Sequence, residues 1–278
     1  MKHVRQTYVY NIMNCSGDVI EAIMSPSFIN AVGAQAMPTT SPEAKTVVDR
    51  TKYWPQYAGK TTTAMTQQDT VSIFSICEAT GHCGSRVAWA IVSDPVVWMK
   101  MRAFVGKINM DLPRDVQLRT NTILDIVLKR LGTETCIFRA AIAKMNERWN
   151  RLDLVMSSPS NNNNMKLVAP DQGLFGAYAG FECGSVGKTF TPTASDLMSL
   201  QSKITNSSPS LKQVLDNNFL TYGCGAYLLH KANIASHDRS DVTFPTDEYA
   251  YIDLTMSDAD FELLINQLSI FVTPLSPK

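Results

Sequence analysis

One stretch limits the folds open to this chain more than any other. Between residues 134 and 156 the apolar side chains Ala141, Met145, Trp149, Leu152 and Met156 recur at steps of four, four, three and four. That spacing puts all five on one stripe of an α-helix, while Lys144, Glu147, Arg148 and Arg151 share another face. A stripe this regular requires a surface to bury it.

Two further helices are expected upstream. Ser93-Asp94-Pro95 offers a cap followed by proline in the first turn, with Val97, Met101, Phe104 and Ile108 at helical spacing. Asp111-Leu112-Pro113 repeats the start signal, and Val116, Ile123, Val127 and Leu131 follow before Gly132 ends the run. Residues 41 to 157 read as mainly helical, and the three helices are expected to form one bundle.

Before them, VRQTYVYNIM and VIEAIM flank CSGD, which reads as a hairpin of two short strands. After them, SSPSNNNN at 157–164 holds no apolar residue and reads as an exposed loop or hinge. Helices return at about 194–206 and 209–232, YAYIDL at 249–254 reads as a strand, and Ser257 caps a last helix through Phe271. The fold expected from sequence is therefore mainly α with minor β: the N-terminal hairpin and short strands near 175–183 and 249–254. It divides into an N-terminal lobe at 1–157, the polar hinge, and a C-terminal lobe at 165–278 with an acidic terminal segment.

The chain has 278 residues, 45% apolar and only 18% charged, with 25 basic residues balancing 25 acidic ones. No global field draws it to nucleic acid or an anionic membrane, so any electrostatic recognition must be local. The longest uncharged apolar run, VAWAIV at 87–92, is too short to span a bilayer, and the first residues lack a secretory pattern. Six scattered cysteines, at 15, 77, 83, 136, 183 and 224, read as reduced thiols, and the expected location is a virion or a host cytoplasm.

Four groups of residues carry candidate chemistry. FECGSVGKTF at 181–190 ends like a phosphate-binding loop in Gly187-Lys188-Thr189. The slot that should hold the first glycine is Glu182, whose carboxylate opposes a bound phosphate, and Pro192 follows too soon for the helix such a loop needs. Cys77, His82 and Cys83, with Glu78 or His230 as a fourth donor, contain soft metal ligands, but their spacing is not that of a zinc finger. Cys183 and Cys224 lie among glycines and offer a thiol nucleophile outside any known local signature. No catalytic residue, metal or cofactor is assigned on these grounds.

The fourth signal is distributed. Residues 100–151 carry eleven basic side chains against five acidic ones, whereas residues 238–278 carry eight acids against two bases. Basic residues on successive helices can track a phosphate backbone, and complementary ends can steer one subunit onto the next. The resulting expectation is a self-assembling structural protein, not an enzyme, that packages single-stranded nucleic acid, RNA by preference, as a viral coat or nucleocapsid protein does. Its phosphate contacts are assigned to Arg114, Arg119, Lys129, Arg130, Lys144, Arg148, Arg151 and Lys188. Its partners are copies of itself and the nucleic acid, with no membrane. The alternative is an enzyme, either a divergent nucleotide hydrolase built on Gly187-Lys188-Thr189 or a cysteine enzyme.

Overall fold

A computed structural model describes residues 3–7, 19–24, 45–54, 56, 70–108, 112–158, 165–168, 176–196, 198–199, 223–236 and 249–273. The chain divides into two compact units, one of residues 1–145 with 170–176, the other of residues 146–169 with 177–278.

The first unit is built on a five-stranded sheet in the order β1 (His3–Thr7), β2 (Val19–Met24), β3 (Lys45–Asp49), β4 (Val71–Ser75), β5 (Ala88–Val92). The first four strands are mutually parallel and only β5 runs the other way. The expected N-terminal hairpin is corrected here. His3 lies opposite Val19 and Thr7 opposite Ile23, so β1 and β2 point the same way, and a two-residue turn cannot join parallel strands. The residues of the expected turn lie outside the described ones.

The mainly helical expectation also fails, because residues 41–157 contain three strands. Val48, Val71 and Phe74 are buried, and Arg50 carries the β3 ladder one step further by donating its N–H to Ile73 O at 2.8 Å. Each of the three strands is only five residues long, too short for its apolar pattern to separate strand from helix by periodicity alone. The architecture is mixed α/β around a parallel sheet.

From β4 the chain enters α1 (Ile76–Thr80), a short 3-10 turn at Cys83–Ser85, and then β5. Two long helices follow, α2 (Pro95–Ile108) and α3 (Arg114–Arg130). Asp94 Oδ1 caps α2 by accepting from the N–H groups of Val96 at 2.8 Å and Val97 at 3.2 Å. Neither helix has a buried residue, and Phe104 and Ile108 are more than 60% exposed. The bundle expected from three apolar stripes is thus not formed among the described residues.

α4 (Ile137–Met156) carries the stripe with which the sequence reading began, and Met145, Trp149, Leu152 and Met156 are all buried. The second unit holds a three-stranded antiparallel sheet of β6 (Lys166–Val168), β7 (Tyr178–Glu182) and β8 (Tyr249–Asp253). Its core is Ala179, Phe181, Ala250, Ile252 and Leu254, joined by Phe261, Leu264 and Leu268 from α7 (Asp258–Val272). Ser257 caps α7 by accepting from Asp260 N–H at 3.2 Å. Two short helices, α5 (Ser185–Lys188) and α6 (Gly223–Tyr227), lie between β7 and β8 in sequence.

Candidate active site at the carboxyl edge of the parallel sheet

In open α/β sheets, ligands gather outside the carboxyl ends of the parallel strands, where loops leave the sheet and backbone groups are still unpaired. In the first unit that edge is formed by the residues after Asp49 of β3 and after Ser75 of β4.

Leaving β3, the chain turns at once. Asp49 Oδ1 accepts from Thr51 N–H at 2.9 Å, and Tyr53 N–H donates to Arg50 O at 2.9 Å. The buried Arg50 donates from Nε to Ser72 Oγ on β4 at 3.3 Å and lies over the Tyr53 ring, 5.1 Å from its centroid. These contacts fix the turn that presents Lys52.

Leaving β4, Ser75 Oγ accepts from Cys77 N–H at 3.2 Å and so starts α1. Gly81 ends the helix with φ of 77°, a left-handed conformation that glycine adopts without strain, and donates to Cys77 O at 2.7 Å. α1 carries Glu78 into contact with Lys52, Nζ to Oε2 at 2.6 Å, with side chains only 13% and 26% exposed. An ammonium and a carboxylate, brought together from two strand ends, form the chemical centre of this edge.

Two buried polar atoms beside it have no hydrogen-bond partner among the described residues. Gln56 donates from Nε2 to Glu78 O at 3.0 Å, yet its Oε1 accepts nothing although the residue is 7% exposed. Trp54 Nε1 is likewise unmatched. The Trp54 ring is held by Phe138, stacked at 6.1 Å between centroids, and by the edges of Phe74 at 6.2 Å and Trp89 at 6.0 Å. The open acceptor of Gln56, a residue that holds the Glu78 carbonyl, marks a place for a polar ligand, because an unmatched buried polar group costs roughly 1–3 kcal/mol.

The residues singled out by sequence go elsewhere. Arg114 and Arg130 lie exposed on α3, where Arg119 pairs with Asp115 at 3.8 Å and Lys129 with Asp125 at 2.6 Å. Lys144 is half-buried on α4 and has a partner. Arg148 is buried, donating to Met256 O at 2.8 Å and to Asp258, while Arg151 pairs with Glu262 at 2.5 Å. Lys188 Nζ lies 3.4 Å from Glu182 Oε1, the carboxylate that stands in the slot of a phosphate loop's first glycine.

The cysteines are also corrected. Cys77 is bonded to Cys83 and Cys183 to Cys224, leaving Cys136 as the free, buried thiol among the described residues. Sulfurs bonded to each other serve neither as metal ligands nor as nucleophiles, and no group of three metal-binding side chains occurs among the described residues. Sequence reasoning missed Lys52, Trp54 and Gln56 and weighed Glu78 only as a metal ligand. Only the identification of TVVD and VSIF as adjacent parallel strands would have directed attention to this edge.

The mixed α/β fold around a parallel sheet has counterparts among solved structures. Over 91% of the chain the fold superposes on aspartate aminotransferase from Rhizobium meliloti, with a TM-score of 0.56 at 14% identity, covering 57% of that chain. Cystalysin from Treponema denticola, whose structure contains a pyridoxal 5'-phosphate cofactor, superposes with a TM-score of 0.57 at 9% identity over the same shares. Residues 3–172, more than half the chain, match the Allinase family model, and the chain belongs to that family.

Among its relatives are tryptophan aminotransferase-related protein 3 of Arabidopsis thaliana, 31% identical over 153 residues, and alliin lyase of Allium cepa var. aggregatum, 28% identical over 127. These alignments cover 55% and 44% of this chain, and 32% and 28% of the relatives. The chain thus spans about a third of the length of the curated relatives it matches.

The expectation of a viral coat or nucleocapsid protein without enzymatic activity is overturned by this family and fold, which point to an enzyme. The physical reason lies in the basic segment. Charge counted along a sequence does not distinguish side chains that await a phosphate from those already matched, and Arg119, Lys129, Arg148 and Arg151 are matched within the fold. The enzyme alternative was nearer, although its proposed groups are engaged: Lys188 with Glu182, and Cys183 with Cys224.

Proposed function

We propose that this chain carries the active edge of an enzyme that acts on an amino acid with pyridoxal phosphate as its cofactor. The observation that carries the reading is the meeting of Lys52 and Glu78 beside the unmatched Gln56 Oε1 and Trp54 Nε1, at the strand ends where this fold class takes its ligands. Family membership and the aminotransferase-like fold support the same class.

The residues present fit the cofactor in type. Such a site needs a lysine amine to hold the aldehyde and an acidic or basic partner for the ring nitrogen. Lys52 is the lysine at this edge among the described residues, and Asp49 closes the adjoining strand with a carboxylate. When bound, the cofactor supplies an electron sink for charge that develops at the amino acid's α-carbon.

The chain's own groups do the rest. Lys52 offers an amine at the end of β3, and the Glu78 carboxylate holds it in place across the 2.6 Å contact. Trp54, clamped between Phe138, Phe74 and Trp89, offers a rigid flat surface with a free N–H, and Gln56 offers an open carbonyl.

Thermal melting tests the reading. Pyridoxal phosphate bound only by the folded chain raises the midpoint in a concentration-dependent way. Lys52→Met removes that rise if the reading is correct. An unchanged midpoint at every cofactor concentration overturns it.

A further inference from the structure

β5 is the outer strand of its sheet, and its sequence, AWAIV, holds neither a charge nor a proline, the usual guards of an open edge. Ala88, Ala90 and Ile91 are exposed. Ile76 N–H donates to Val87 O and Ser93 N–H to Thr70 O, each at 3.1 Å, so Val87, Trp89, Ile91 and Ser93 turn their backbone groups towards β4. Ala88, Ala90 and Val92 turn theirs the other way, where no partner meets them among the described residues.

α2 leaves directly from this edge, after Ser93 and Asp94. Its apolar stripe is half-buried at Val97 and Met101 but exposed at Phe104 and Ile108, and Trp98 and Val105 beside it are exposed as well. The helix carries Lys100, Arg102 and Lys107 and no acidic residue. The Arg102 guanidinium lies over the Trp98 ring, 5.2 Å from its centroid, so cation and apolar surface are presented together.

We propose that the open edge of β5, with the exposed face of α2, is a docking site for an acidic, apolar-rich segment of another polypeptide, which joins the sheet as a sixth strand. Unpaired ladder groups call for a partner with backbone donors and acceptors, which a lipid surface does not supply. A helix with cations and no acids selects acidic side chains. A second copy pairing through the same edge would add another all-basic helix to the interface, like charge beside like charge. This docking surface is independent of the cofactor reading.

The probe is a fluorescein-labelled peptide, Glu-Val-Thr-Val-Glu-Val-Thr-Val-Glu, followed by fluorescence anisotropy beside a counterpart with lysine at each glutamate. The acidic peptide is expected to bind about tenfold more tightly than the basic one, and to weaken as salt is added. Ala90→Pro removes an outward N–H without touching the ladder to β4, and is expected to weaken binding roughly tenfold while the protein still melts as the parent does. Two N-methylated peptides test the same bonds on the unaltered protein, one blocked at the valines and the other at the threonines and central glutamate. Only one edge of an added strand faces β5, so one of these is expected to lose binding and the other to keep it.

Absence of binding by the acidic peptide overturns the proposal. Equal binding by both methylated peptides, or by Ala90→Pro and the parent, overturns the added strand. A parent that sediments as a dimer and becomes a monomer in Ala90→Pro gives the edge to a second copy, which overturns the acidic segment as its occupant. Co-flotation with vesicles of phosphatidylserine and phosphatidylcholine that survives Ala90→Pro but is lost in Phe104→Ser gives α2 to a lipid surface, with the same consequence.

Discussion

Arg148 Nη2 lies 2.5 Å from Asp258 Oδ1, joining α4 to the start of α7 across 110 residues of chain. The same guanidinium donates to the carbonyls of Leu254 and Met256 and lies over the Phe261 ring at 4.9 Å. A residue that sequence assigns to a phosphate-binding surface is instead the internal fastener of the second unit.

Replacing Arg148 by methionine keeps most of the packing and removes every donor. Two carbonyls then lose their partner, and stability is expected to fall by about 2–4 kcal/mol. Asp258→Asn, which changes only the exposed partner, is expected to cost under about 1 kcal/mol. Urea unfolding of both variants checks this; equal effects would show that the carbonyl contacts contribute little.

Gly187 is required for packing. A Cβ there would stand 2.6 Å from Cys183 Cβ and 3.0 Å from Tyr227 Cδ1. Gly187→Ala is expected to lower stability by about 1–3 kcal/mol through overpacking. An unchanged urea midpoint would contradict it.

The Cys183–Cys224 disulfide ties residues 41 apart and is fully buried in the second unit. By loop-closure entropy, replacing both cysteines with alanine is expected to remove up to about 4 kcal/mol. The difference should appear between the double variant and the oxidised parent, and should vanish when the parent is measured fully reduced.

Asp196 makes one pH-dependent contribution. The N–H and hydroxyl of Thr193, at 3.0 and 2.8 Å, together with Lys231 at 3.2 Å, pull its carboxyl down from 3.8 to about 2. Its folded value lies below its unfolded one, so the stabilisation is complete above 3.8 and is lost as pH falls through about 2. Carbon NMR of the side-chain carboxyl should show a midpoint near 2, moving upward in Thr193→Ala. A midpoint in the usual carboxylate range for the parent protein would refute it.

The helix at 137–156 was legible because its own residues specify it, and burial of Trp149 and Leu152 follows from the stripe. The caps at Asp94 and Ser257 were legible for the same reason, since each acts on N–H groups two or three residues away. Parallel pairing was not. KTVVD and VSIFS become strands by lying against each other and against β2 and β5, and nothing within five residues records that. The candidate site was hidden one level deeper, because Lys52 and Glu78 are 26 residues apart and meet only after β3 and β4 pair. The misreading of the basic segment has a related cause: Arg148 is partnered by residues more than 100 positions away.

The reversal of β5 has a consequence for how this edge can change. Ser75, the last residue of β4, is registered directly against Ala88, the first of β5, so residues 76–87 leave the sheet and return to it at one point. Everything between, including Glu78 and the sulfur bridge around it, is a cassette with a common entrance and exit. Such an insert can be exchanged or lengthened without shifting the strand register on either side, which lets the chemistry of the edge diverge while the scaffold is inherited intact.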